Sequence, residues 1–170
     1  MGAVTQEYAA SSNLTVTALN GGVASSSTLL SGWTSGTIDN TSTKYEDVLV
    51  TGKITVESSG LTAGVIEVWA YAMLDDSNWP DVFSSGTEGT EGTATISDSE
   101  QKAASFRLLW SCATDTGASE VYSMAPASVA GAFGGVLPPK FAIFITHSTV
   151  AALETSGNQV TIKGVYRSVA

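Results

Sequence analysis

Glu46-Asp47-Val48-Leu49-Val50-Thr51-Gly52-Lys53-Ile54-Thr55-Val56 is the stretch that decides the fold class. Val48, Val50, Ile54 and Val56 share one face, against Thr51, Lys53 and Thr55 on the other. A period of two is that of a strand with one buried face. Toward the C-terminus, Ser58-Ser59-Gly60 turns the chain, and Ile66, Val68, Ala70 and Ala72 then alternate with Glu67, Trp69, Tyr71 and Met73. The second set holds two large aromatics, so both faces of this strand are expected to be covered. The loop from Asp75 through Asn78-Trp79-Pro80 to Gly92 is polar, and its repeat Thr87-Glu88-Gly89-Thr90-Glu91-Gly92 is expected to lie in solvent. Ser97-Asp98-Ser99-Glu100 has the spacing of a helix cap. A strand is nonetheless favoured from Ser105, with Phe106, Leu108, Trp110 and Cys112 on one face opposite Arg107 and Ser111.

Further on, Pro126 and Ser128 to Phe133, closed by Gly134-Gly135, predict a helix of one or two turns. Phe141, Ile143 and Ile145, with Phe144 behind, predict a strand buried on both sides, and Val160 to Arg167 predicts a last alternating strand. Toward the N-terminus, Ser25 to Thr43 reads as short extended pieces around Leu29, Leu30, Trp33 and Ile38. Residues 1–20 are small and hydroxyl-rich, with one strand-like patch at Leu14-Thr15-Val16-Thr17. They are expected to form an extended arm that gains order on a neighbouring subunit, leaving residues 21–170 as one β-sandwich domain. The fold expected is all-β: an antiparallel β-sandwich of jelly-roll or related Greek-key topology, with at most one short helix.

The composition narrows the function. A chain of 170 residues suits a single core. Apolar residues make up 43% and charged residues only 14%, so Ser, Thr, Gly and Asn take the place of the usual charged surface. Such a surface suits being covered by neighbours. The net charge of −9 repels a phosphate backbone and argues against nucleic-acid binding. The single cysteine, Cys112, excludes an intrachain disulfide. The start of the chain does not read as a secretion signal, and no apolar run approaches the roughly 20 residues of a membrane span. No membrane partner is expected, and synthesis and assembly in a cytoplasm are.

Chemistry-bearing patterns are sparse. His147 is the only histidine, so a metal site of several imidazoles is impossible, and no serine stands in a Gly-x-Ser-x-Gly setting. Asp75, Asp76, Asn78 and Asp81 offer oxygen ligands, but Pro80 breaks the spacing and a solvated turn is the better reading. Gly131, Gly134 and Gly135 are turn makers, because Pro138-Pro139 follows where a phosphate loop needs Gly-Lys-Ser/Thr. No catalytic residue, cofactor or metal is expected, and the chain reads as a structural protein rather than an enzyme.

The C-terminal third carries a resemblance. Ser128-Val129-Ala130-Gly131-Ala132-Phe133-Gly134-Gly135-Val136-Leu137-Pro138-Pro139, an apolar strand, Ala151-Ala152-Leu153, Gly157-Asn158 and the closing Val160-Thr161-Ile162-Lys163-Gly164-Val165-Tyr166 resemble small virion proteins of tailed bacteriophages, the head-decoration or cement proteins. That resemblance implies a jelly roll on the outside of the capsid, stabilising the head. Its implied partners are the major capsid protein and further copies of itself, as a dimer or trimer. Leu14, Val16, Trp33, Trp69, Tyr71, Trp79 and Phe133 are the residues expected at interfaces. Alternative readings are a subunit of the neck or tail, a carbohydrate-binding module with Trp33, Trp79 and Tyr45 in one cleft, and a small hydrolase with His147 beside a nucleophile and a carboxylate.

Overall fold

The computed structural model describes residues 3–169. The chain runs through β1 (Val4–Tyr8), β2 (Ser12–Asn13), a 3-10 turn at Leu19–Gly21, β3 (Ser31–Thr34), β4 (Ile38–Asp39), β5 (Asp47–Thr55) and β6 (Gly64–Ala72). There follow β7 (Phe83–Ser85), β8 (Gly92–Ile96), α1 (Ser99–Ser105), β9 (Phe106–Thr114), β10 (Val121–Ser128), the single turn α2 (Val129–Ala132), β11 (Lys140–His147) and β12 (Gln159–Val169). Every pairing between these strands is antiparallel.

Two sheets form. One is ordered β1-β12-β5-β10, with β2 also on β12; the other is β7-β8-β3-β11-β6-β9, with β4 also on β11. β1 and β2 pair with successive parts of β12, and β3 and β4 with successive parts of β11, so each pair acts as one broken strand. With the β7–β8 hairpin set aside, the first strand pairs with the last, the second with the next to last, β5 with β10, and β6 with β9. This is a long hairpin rolled up on itself, the strand order of a jelly roll.

The main core lies between the sheets. Val48, Val50, Ile54 and Val56 of the deciding stretch are buried there against Ile66, Val68, Ala70, Phe141, Ile143 and Ile145. Gly52, on the same side of β5, lies so close to the Gln159 carbonyl that a Cβ at this position would overlap it. A second core covers the other face of the larger sheet. It joins Tyr71, Ala142, Phe144 and Phe106 to Val82, Ala94 and Ile96, with Leu30, Trp69, Trp79 and Phe83 packed around them. Tyr71 is its hub, with ring centroids 4.8 Å from Phe106 and 5.2 Å from Trp79. β6 and β11 are therefore covered on both faces, as their sequence predicts.

Three local readings are corrected. The cap of helix α1, Ser99–Ser105, is Asp98 and not Ser97: Asp98 Oδ1 accepts from the Gln101 N–H at 2.7 Å, and the expected strand follows from Phe106. β9 does not keep one alternation, because Val68 pairs with Trp110 and Trp69 with Leu108, leaving Leu109 as an inserted residue. Phe106 thus enters the outer core, Leu109 and Trp110 pack on the main core, and Leu108 is 47% exposed. Finally, the described part of the 1–20 segment is extended but lies on its own chain. Val4 to Tyr8 pair with Val169 to Val165, Ser12 and Asn13 pair with Ile162 and Thr161, and Leu19 is fully buried.

Candidate functional site

The residues expected at interfaces do not converge on one surface. Trp33 and Tyr71 are 0% exposed, so neither is available to a partner. Their polar atoms explain the burial. The Trp33 Nε1–H donates to Glu91 Oε1 at 2.8 Å, and the Tyr71 hydroxyl meets Thr34 Oγ1 at 2.7 Å while accepting from the Gly89 N–H at 2.9 Å. Burial pushes the Tyr71 phenol up to about 12. Leu14 and Val16 are half-buried against the chain's own main core. Trp79 rests on Tyr71 in the outer core and is closely approached by the Gly89 backbone. Trp69 is half-buried beneath Lys102, whose Nζ stands 4.5 Å above the ring, and donates from Nε1 to Glu67 Oε2 at 2.9 Å. Phe133 is half-buried beside a notch shared with Leu74, Arg107 and Pro138.

The acidic repeat expected in solvent turns out to be a clamp. Glu88 Oε1 accepts from the backbone N–H groups of Val82 and Phe83 at 3.2 and 3.0 Å, and Glu91 Oε1 also accepts from Ala18 N–H at 2.8 Å. Gly89 adds its carbonyl, which accepts from Thr37 N–H at 2.8 Å. These contacts fasten the Asp75–Glu91 loop over the outer core and tie it to the N-terminal segment. Lys102 does the same for α1, reaching Glu67 Oε2 at 2.9 Å and the Leu29 carbonyl at 2.7 Å.

His147 ends β11, but it is fully buried rather than at a surface. Its Nε2 donates to the Val23 carbonyl at 3.0 Å, and its Nδ1 faces Thr149 Oγ1 at 2.9 Å. A carbonyl can only accept, so the proton sits on Nε2 in the neutral ring. Burial holds the imidazole below its ordinary pKa, opposed by the bond to Val23. A hydrolytic arrangement would place a carboxylate on this ring, and its hydrogen-bond partners are a threonine and a carbonyl. The imidazole staples the 22–25 segment to the end of β11.

Asp75 closes its own turn, accepting from the N–H groups of Ser77 and Asn78, both at 2.7 Å, and from Asn78 Nδ2 at 2.9 Å. The Asn78 amide first, then the two backbone N–H groups, hold the Asp75 carboxyl below its usual range. Among the described residues, no three His, Cys, Asp or Glu side chains come together as metal ligands would.

Tyr45 packs against the main core, and the cleft it borders has no tryptophan in its lining. The Tyr45 ring lies flat on Gly164 of β12 and lines this cleft of about 300 Å³ with Leu14, Ile38, Asn40 and Ile162. The polar wall of that cleft is engaged within the chain, because Asn40 Oδ1 accepts from Tyr45 N–H at 2.8 Å and its Nδ2 donates to the Tyr45 carbonyl at 3.0 Å. Trp33, Trp79 and Tyr45 thus form no common sugar cleft. The chain matches no protein-family model, no curated protein and no solved structure.

Proposed function

We propose that this protein is a structural subunit of a virion, a decoration or cement protein that binds the outside of a tailed-phage head and stabilises it. One observation carries the reading: in this jelly roll the distinctive polar and aromatic side chains are used to hold the fold itself. Trp33, Tyr71, His147, Glu88, Glu91 and Lys102 all have partners within the chain. The remaining surface is poor in charge and rich in hydroxyls, which hydrate without repelling a neighbouring protein. The sequence resemblance of the Ser128 to Tyr166 region supplies the particular setting. An external position also agrees with the net charge of −9, since an acidic chain gains nothing from packaged DNA.

The test is co-sedimentation of the purified chain with empty heads of a tailed phage that encodes it, prepared without it. Saturable pelleting with the heads supports the reading. Protein left in the supernatant at every head concentration contradicts it, and pelleting with isolated necks or tails alone moves the subunit there.

A further inference from the structure

Where β6 finishes and β11 begins, a notch of about 350 Å³ opens among Met73, Leu74, Pro80, Arg107, Phe133 and Pro138. Its walls come from separate parts of the chain, each fixed by its own backbone bonds. Met73 N–H donates to the Lys140 carbonyl at 3.1 Å, Leu74 N–H to the Asn78 carbonyl at 2.8 Å, and Phe133 N–H to the Val129 and Ala130 carbonyls, both at 3.1 Å. A site already shaped loses little freedom when a partner arrives. Leu74 is 74% exposed, level with Val169 as the most exposed large apolar side chain among the described residues. Methionine, aromatic and arginine side chains are also the ones enriched at the centres of interfaces.

Arg107 is the one charged residue lining the notch. Its Nη1 donates to the Ala104 and Phe106 carbonyls, at 3.0 and 2.8 Å, which holds the guanidinium in place without neutralising it. Among the described residues, Nε and Nη2 have no acceptor and no carboxylate forms an ion pair with Arg107. Asp75, next to Leu74, keeps its carboxyl on its own turn. Nε and Nη2 together are the edge that takes a carboxylate through two parallel hydrogen bonds.

We propose that this notch is the surface by which the chain docks on the head: it receives an apolar side chain of the capsid protein, and an aspartate or glutamate beside that side chain pairs with Arg107. The inference rests on the shell reading and adds to it the contact face and the chemistry of the segment received. Charge selects the occupant. A basic or neutral segment would leave the held guanidinium unpaired once the notch is covered, and covering an unpaired charge is unfavourable. An acidic segment without an apolar side chain would leave Leu74 and Phe133 facing water.

Co-sedimentation of the full chain with empty heads prepared without it, over a range of head concentrations, reads the affinity. Leu74→Asp and Arg107→Gln should each weaken pelleting by about ten-fold or more, as loss of an interface anchor does. Leu74 is exposed, and glutamine still offers an amide N–H to the carbonyls that Nη1 serves, so both variants should keep the wild-type circular dichroism spectrum. Val150→Asp makes the same change at an exposed valine beyond the other end of β11 and should pellet as the wild type does. If the wild-type chain pellets and both notch variants pellet equally well, the notch proposal is overturned and the shell reading stands. A wild-type chain that stays in the supernatant overturns both. Equal weakening by Val150→Asp would assign the effect to net charge, and a free-chain mass in sedimentation equilibrium that falls only in the notch variants would assign the notch to a second copy; either result overturns the proposal.

Discussion

Glu91 binds two donors far away in sequence, the Trp33 indole and the Ala18 amide, 58 and 73 residues distant. Removing it strands a buried indole N–H, and an unmet buried donor costs about 1–3 kcal/mol. Glu91→Ala should therefore lower unfolding stability by about that amount in urea titration, and Glu91→Gln, which keeps an accepting oxygen, by less. Two buried groups give opposite pH signatures. Tyr71 has its phenol raised to about 12 from 10.0, so its stabilisation is complete below pH 10 and is lost as the pH climbs from 10 toward 12. Comparing wild type with Tyr71→Phe across that range should show a difference that closes by about 2–3 kcal/mol. His147 is shifted the other way, since the folded state resists its protonation. Stability should hold above pH 6.5 and fall as the pH drops below it, because the unfolded chain then binds the proton first; His147→Gln should flatten this slope in a pH series of melting curves. The sequence signals only part of this. Tyr71 and Trp69 on the second face of β6 announce a covering layer, whereas Glu88 and Glu91 sit in a Thr-Glu-Gly repeat whose composition is that of a solvated turn. Their role depends on partners that local pattern does not reveal.

At the scale of elements, alternation was legible wherever the ladder was regular. β5, β6, β11 and β12 follow from their period of two, and the double burial of β11 follows from Phe144 behind Ile143 and Ile145. β9 broke the rule because an inserted Leu109 shifts every later side chain to the opposite face. The N-terminal segment was obscured in another way. Its strands have few apolar residues, and what orders them is β12 at the far end of the chain. Deleting residues 1–13 should uncover the β12 edge and the packing of Leu14 and Val16. The truncated chain is expected to lose at least about 2 kcal/mol, a fall in Tm of roughly 4–8 °C. An unchanged Tm would mean that β1 and β2 contribute nothing to the isolated fold. Within the core, Gly52→Ala drives a methyl into the Gln159 carbonyl and should cost about 1–3 kcal/mol, read as a lower urea midpoint at constant m.

For the whole molecule, the jelly roll follows from sequence as a class, and its pairing of first strand with last follows only from the structure. The candidate site was legible to a smaller degree. Aromatic residues marked as interface anchors, Trp33 and Tyr71 above all, supply the two cores instead. Large aromatics are equally suited to either use, and burial distinguishes them only once the Asp75–Glu91 loop is folded back over the sheet. What remains exposed is a surface low in charge and rich in hydroxyls, a feature on which the shell-subunit proposal rests. The most direct measurement is the temperature at which purified heads lacking the protein lose their integrity, followed by light scattering with and without a saturating amount of the chain. The proposal predicts a higher temperature in its presence, reached at a fixed ratio of chain to capsid protein; an identical temperature at saturation, with the protein free in solution, would contradict it.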